Sequence, residues 1–203
     1  MVEVIRLSQN FGFARPVNLG IKKSKTRYIL ILNNDTILDK NCLRYLIRSI
    51  KNKKVAGVTP KILFADKPSL IESTGDYMNI IGQAFHRGFL ARKERFNKEE
   101  KVFLIPATAA LFKRSVFQKI GLFDEFFFAY GEDVDWCLRA QLKGFKFIYQ
   151  PKAGVYHKGQ GTGNRNLNLL SYLCFRNWII SIIKNFPLGL FFKNYRFILI
   201  PIV

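Results

Sequence analysis

The chain has 203 residues, with 33 Lys or Arg against 14 Asp or Glu and a formal net charge of +19. Hydrophobic residues make up 49% and aromatics 15%, which excludes a disordered chain and supplies enough apolar material for a domain with a real core. So large a positive charge asks for an anionic partner: nucleic acid, anionic lipid headgroups or a phosphorylated substrate.

Residues 2–7, VEVIRL, alternate like a short strand, and the stretch from Met1 to Asn10 lacks the apolar run of a secretory signal. NFGFARPVNLGI reads as a Gly-containing loop entering a helix from about Pro16 to Lys23. RYILIL (27–32) is a short, continuous apolar run, the pattern of a buried strand in a parallel sheet, and NNDT ends it. Residues 39–52 place Cys42, Leu43, Leu46, Ile47 and Ile50 on one helical face, with Asp39 as the expected N-cap. KVAGVTPKILF (54–64) is the next strand, so strand and helix alternate as in an α/β fold with a mainly parallel sheet.

Residues 65–105 read as a less regular insertion whose charge run at 91–101 is a solvated loop, and His86 within it carries no site argument. A strand, a helix closed by Gly121 and a Phe-rich loop follow, then a helix over 132–143 capped by Gly144. FKFIY (145–149) is a strand, and VYHKGQGTGN a Gly-rich turn segment. Cys42, Cys137 and Cys174 are scattered without CxxC spacing, which argues against a disulfide framework and a zinc site and fits a reducing compartment. From Leu167 onward the chain is apolar, aromatic and basic; the 68 residues after Asp135 contain no acid. WIISII, PLGLFF and FILIPIV, interrupted by Lys184, Lys193 and Arg196, fit an interfacial helical segment whose basic residues reach lipid headgroups; a buried helix pair is the plainer alternative. No run of 18 uncharged apolar residues marks a spanning helix.

Three positions carry chemistry. Asp35 directly follows a buried strand, where open α/β sheets bind ligands, and a hard cation wants such oxygen ligands; an ordinary Asn-Asn-Asp turn explains it equally simply. Glu132, Asp133 and Asp135 crowd a helix N-terminus, where the macrodipole alone stabilises acids, but two adjacent carboxylates exceed what one cap needs. His157, with Gly159, Gly161 and Gly163, offers an imidazole and approachable backbone N–H groups, against the reading of a flexible loop.

In order, NFGFARPVNLGI, LILNNDTIL, the long run from PATAALF to CLRAQLKG, and VYHKGQGT resemble inverting glycosyltransferases of family 2, most of all the rhamnosyltransferase-like branch, over roughly residues 3–178. The resemblance implies a GT-A fold, a Rossmann-like mainly parallel sheet flanked by helices, and transfer of a sugar from a dTDP- or UDP-sugar to a saccharide or lipid-linked acceptor in cell-surface polysaccharide synthesis. It implies Asp133 as general base with Glu132 beside it, and Asp35 and His157 as holders of Mg²⁺ or Mn²⁺. Asn33 stands where the family motif has its first Asp. Asn10, Gly12, Phe13, Ala14, Asn33 and Asn34 fall on the donor side, and Thr108, Ala109, Ala110 and Tyr130 on the acceptor side. Asp135 is expected to support its helix.

The family's opening strand, helix and nucleobase-binding element have no counterpart here, so the fold is expected to be N-terminally truncated. The expected organisation is a partial catalytic domain over 1–166 and a membrane-proximal helical segment over 167–203, on the cytoplasmic face of the cell membrane. An inactive remnant, or half of a split enzyme acting as an interaction partner, is the alternative. Nucleic-acid binding is not expected, because the basic residues are spread along the chain without a recognition motif.

Overall fold

The computed structural model describes residues 2–159 and 167–187, with Gly189 and Lys193. One sheet with side chains buried on both faces accounts for most of the hydrophobic pattern. Its main path runs β1 (Tyr28–Leu32), β8 (Ala109–Lys113), β3 (Val55–Phe64), β9 (Lys146–His157) and β2 (Thr36–Leu38), with β4 (Ile71–Ser73) on β3 and β7 (Glu100–Val102) on β9. β1, β3 and β9 share one direction, and the β3–β9 ladder, the longest in the sheet, is parallel. β8 runs antiparallel between β1 and β3, and the short β2, β4 and β7 pair antiparallel at the periphery. The parallel set expected from the sequence is thus present within a mixed sheet. A separate hairpin joins β5 (Asp76–Met78) to β6 (Ala84–His86).

Strand alternation divides the core in two. Ala110 and Phe112 of β8, with Ile29 and Ile31 of β1, face Phe117, Phe123, Trp136 and Phe147; Ala109 and Leu111 face Cys42, Leu46 and Ile50. The first layer is covered by α1 (Ala14–Lys23), α3 (Arg114–Ile120) and α4 (Glu132–Leu142), the second by α2 (Cys42–Ser49). Trp136 is fully buried, with the Phe117 ring 4.6 Å and the Phe112 ring 5.2 Å away, and its indole N–H donates to the Gly121 carbonyl. Phe112, Phe117, Phe123, Phe127 and Phe147 are thus buried, while Phe85, Phe89, Phe103, Phe126 and Phe175 are exposed, so the chain's Phe content is only partly core.

Several elements differ from expectation. Residues 2–7 form no strand and lie exposed: among the described residues no strand pairs with them. Asp39 does not cap α2 through its side chain; its carbonyl accepts from Cys42 N–H, and its carboxylate lies where a Cβ on Gly154 would clash. β9 continues through QPKAG to His157, well past the expected end at Tyr149. Pro60 has no N–H for the ladder. Beside it the register jumps from Pro60 opposite Gln150 to Lys61 opposite Gly154, so Pro151, Lys152 and Ala153 bulge out before pairing resumes. The 91–101 run is largely exposed as expected, but the buried Lys61 ammonium anchors it through the carbonyls of Lys93 and Arg95 and the Asn97 side chain.

The apolar tail segment forms α5 (Leu167–Asn185), whose inward face buries Asn177, Ser181 and Asn185 beside Leu173 and Ile182. Asn177 donates through Nδ2 to the carbonyls of Phe127, Ala129 and Tyr130. Arg176 donates to the carbonyls of Phe126 and Phe127, and the Trp178 indole to that of Ile81. The fully buried Asp135 carboxylate receives Arg139 at 2.8 Å from its own helix, and Lys184 at 2.8 Å and Asn185 at 3.0 Å from α5. Asp135 therefore supports more than its own helix: it bolts α5 to α4. Among the described residues no helix is long and apolar enough to cross a membrane.

Asp135→Ala strands Arg139 and Lys184 beside a buried gap, so it is expected to cost about 3 kcal/mol, read as a lowered urea midpoint with an unchanged slope.

Candidate active site

The strand irregularities bring three polar side chains to one point. After its bulge, β9 ends with His157 opposite Thr36 of β2 and Phe64 of β3, one residue from Asp35. His157 Nε2 lies 3.2 Å from Asp35 Oδ1, while its Nδ1 lies 2.9 Å from the Glu72 carboxylate. Glu72 reaches it because β4 shifts register there: Ile62 pairs with Ser73 and Leu63 with Ile71, leaving Glu72 as the bulged residue. Burial works against protonating His157, yet the hydrogen bonds and charges of Glu72 and Asp35 outweigh it and raise the imidazole pKa. Each ring nitrogen faces a carboxylate, which favours the imidazolium; a cation bound beside Asp35 would take the place of the Nε2 proton, while Glu72 on Nδ1 holds the ring in place. One imidazole nitrogen and one carboxylate oxygen fit a divalent cation. Among the described residues no group of three or more ligating side chains is arranged to hold a metal, so such a cation would draw its remaining ligands from diphosphate oxygens and water.

The acidic pair stands at the start of α4. Gly131, in the left-handed region at φ 87°, turns the chain into the helix, and no side chain caps it. Half-buried Asp133 accepts Ala107 N–H at 3.0 Å and its neighbour Val134 N–H at 2.8 Å. Burial raises its pKa and so does Asp76, opposed by the two N–H groups and by His86. Glu132 is buried, with Oε2 unpaired, and burial together with Asp133 pushes it well above the usual carboxylate range. His86, which the sequence gave no reason to select, lies beside this pair. Its Nδ1 is 2.8 Å from Asp76 Oδ1. Burial lowers its pKa, but Asp76, with Glu72 and Asp133 behind it, raises it on balance. His86 thus feels the carboxylates of both clusters.

The donor-side loop is built onto the Phe-rich loop. Asn10 Oδ1 accepts Gly12 N–H, and Phe13 and Ala14 N–H both reach the carbonyl of Phe128. Asn33 N–H donates to the Thr108 carbonyl, and the Asn33 carbonyl takes Thr36 N–H and hydroxyl, so Asn33 and Asn34 form the turn that presents Asp35. Two expected acceptor contacts are corrected: Ala109 and Ala110 are fully buried, one in each core layer, because β8 is an interior strand. The neighbouring main chain at Ala107 is what meets Asp133. Tyr130 lines a cavity beside α5. His157 ends a strand instead of following one, and Gly161 and Gly163 lie outside the described residues. Glu72 and His86 had no legible signal, since only a register shift and a hairpin pairing place them.

This α/β sheet, with a carboxylate–imidazole pair at one strand end and buried acids at a helix start, has the architecture of a GT-A glycosyltransferase. A family model described as "Glycosyl transferase family group 2" matches residues 28–180, and the chain belongs to that family. Poly-beta-1,6-N-acetyl-D-glucosamine synthases of Staphylococcus aureus and Staphylococcus epidermidis are 29% and 28% identical over 152 residues, 73% of this chain. The chain spans about a third of the length of these curated relatives, 34%. Among solved structures, GalNAc-T7 with UDP, GalNAc and Mn²⁺ superposes with a TM-score of 0.67 at 14% identity, covering 88% of this chain and 35% of that one. A mannosyltransferase of Pyrobaculum calidifontis with GDP-Man and Mn²⁺ gives 0.56 at 12% identity, covering 91% and 47%. These likenesses show the fold.

A Cβ on Gly12 would sit 2.2 Å from the Phe128 carbonyl oxygen, and φ there is +76°. Gly12→Ala is therefore expected to destabilise by about 1–3 kcal/mol, whereas Gly20→Ala, in α1 with nothing within 4 Å, is expected to stabilise by about 0.5–1 kcal/mol. Parallel denaturant melts of the two variants check both signs.

Proposed function

We propose that the chain transfers a sugar from a nucleoside-diphosphate donor to a hydroxyl of a saccharide or lipid-linked acceptor, with inversion at the anomeric carbon. The observation that supports this reading is the Ala107–Thr108 segment: Ala107 N–H donates to Asp133 and the Thr108 carbonyl accepts Asn33 N–H, two residues from Asp35, so the acidic pair and the turn that presents Asp35 are tied to one stretch of main chain. Asp133 is the base. Its carboxylate takes the proton from the acceptor hydroxyl while that oxygen bonds to the anomeric carbon, and the bond to the diphosphate oxygen breaks on the opposite face. Asp35 and His157 hold a divalent cation, and Glu72 orients His157; a bound cation supplies positive charge to the departing diphosphate. The imidazole ligand supports Mn²⁺ over Mg²⁺. Glu132, which favours its protonated form, acts as a neutral neighbour of the base.

The names of the relatives support UDP-N-acetylglucosamine as the first donor to test; dTDP-rhamnose follows from the branch the sequence resembles. The acceptor is a growing surface polysaccharide or its lipid-linked precursor. α5 supports attachment to the cytoplasmic membrane surface: Leu167, Leu169, Tyr172, Phe175 and Ile183 are exposed, while its inward face buries Asn177, Ser181 and Asn185. A second reading has one observation in its favour. β1 ends the main path of the sheet with one free edge among the described residues, which strands from elsewhere would complete. Calorimetric titration with UDP and dTDP, with and without Mn²⁺, separates the two: metal-dependent binding supports a self-sufficient donor site, and absence of binding by a folded sample supports the half-site.

Asp133→Asn is expected to lower kcat by about 10²–10⁴-fold while leaving Mn²⁺-dependent nucleotide binding intact. Glu72→Gln is expected to weaken Mn²⁺ binding by about 10–100-fold in the same titration. Activity requires ionised Asp133, so the acid limb of the pH–rate profile falls at higher pH than an unperturbed Asp would set. Because His86 lowers the Asp133 pKa, His86→Gln is expected to move that limb to still higher pH.

A further inference from the structure

The sheet has two unlike sides. α5 packs on α4, over the first core layer, whereas α2 covers the second. Cys42 and Leu46 are the buried residues of α2. At about 100° per residue, Arg44 and Arg48 then point outward, and Leu43 and Ile47 run as an apolar stripe beside them. Leu43 is 45% exposed, and both arginines are exposed. Lys51, Lys53 and Lys54 follow in the turn to β3, all exposed. Lys101 and Lys146 extend the same side: Lys101 pairs with Ile148 of β9, which packs in the second layer, and Lys146 stands two residues earlier in that strand. Lys101 foremost, then Lys54, depresses the Lys146 pKa, as crowded cations do. Among the described residues none of these cations forms an ion pair with a carboxylate. Glu99, beside the end of α2, is occupied instead by the Ser49 hydroxyl and the Gln150 amide.

We propose that this side docks an acidic amphipathic helix of a partner protein. The apolar stripe of the partner lies on Leu43 and Ile47, and its carboxylates meet Arg44, Arg48 and Lys51. Cations scattered along the sequence converge here in the fold, and they repel one another until an anionic surface joins them. A nucleic-acid backbone would answer the charge but leave the apolar stripe uncovered. The choice of a soluble partner rests on the attachment of α5 to a membrane proposed above, because one flat bilayer cannot touch α5 and, across the sheet, α2 at once. A second copy of this chain does not fit either, since its acid-rich helix, α4, buries Glu132 and Asp135.

The test is fluorescence anisotropy on the full chain with a labelled three-heptad helical peptide, leucine at a and d and glutamate at the flanking positions. A scrambled peptide of the same composition, poly(U) and phosphatidylcholine vesicles containing phosphatidylglycerol are the other probes. The patterned peptide is expected to bind about tenfold more tightly than the scrambled one, in line with burial of one leucine side chain. Leu43→Ser is expected to erase that difference, and Arg44→Glu with Arg48→Glu to weaken both peptides by about tenfold. Near-ultraviolet circular dichroism from the buried Trp136 reports that the variants are folded. Equal binding of the two peptides, no binding of either, or a preference unchanged by Leu43→Ser would each overturn the proposal. Release from vesicles by Leu43→Ser would give this side to lipid, and poly(U) binding that depends on Arg44 and Arg48 and exceeds that of the patterned peptide would give it to nucleic acid; both overturn it. Phe175→Ser, read by vesicle co-sedimentation, tests the α5 attachment separately, so failure of this inference is distinguishable from failure of the reading beneath it.

Discussion

The carbonyl of Phe128 is the point on which the site turns. It accepts two N–H groups from the start of α1, while the carbonyls on either side of it, at Phe127 and Ala129, are held by Asn177 of α5. Phe128 and Tyr130 adopt φ of 63° and 67°, a region that disfavours residues with side chains. Such a conformation persists only where its surroundings over-determine it, and here an N-terminal helix and a C-terminal helix do so from opposite sides. The reward is the placement of Glu132 and Asp133, which follow the loop with no capping side chain of their own.

So basic a chain gathers its carboxylates because each is held by a different kind of partner. Asp135 is neutralised by Arg139 and Lys184 and serves cohesion. Asp35 and Glu72 share one imidazole, and Asp133 is held by backbone N–H groups. Glu132 has a buried oxygen without a partner, and it is pushed well toward neutrality. The same local run of acids thus divides into a structural anchor, an ionisable group and a largely neutral one through burial and pairing alone.

The parts of the fold legible in the sequence are those whose signal is local. RYILIL and VAGVTPKILF read as buried strands because neighbours cover both faces of the sheet. Gly121 and Gly144, both at positive φ, mark helix ends that the sequence also marks. Non-local pairing hid the rest. FKFIY reads as a strand ending at Tyr149 and VYHKGQGTGN as a turn segment, yet Pro151 lies in a bulge of one strand that resumes pairing at Gly154 and continues to His157. Small residues at 109 and 110 look fit to line a pocket, but only the β8 pairing shows both faces buried. Asp35 and His157 were legible as separate candidates and through resemblance; Glu72, which joins them, depends on a one-residue shift against β3 that composition does not encode.

The Asn177 clamp has a consequence for biosynthesis. Phe127 precedes Asn177 by fifty residues, and a chain leaves the ribosome at about 5–20 residues per second. For several seconds the loop that positions the acids exists without the helix that restrains it. The sheet already has its strands by then, but the acidic end of the site is assembled last, when α5 has emerged. A nascent chain therefore has its sheet before its acidic pair is fixed in place.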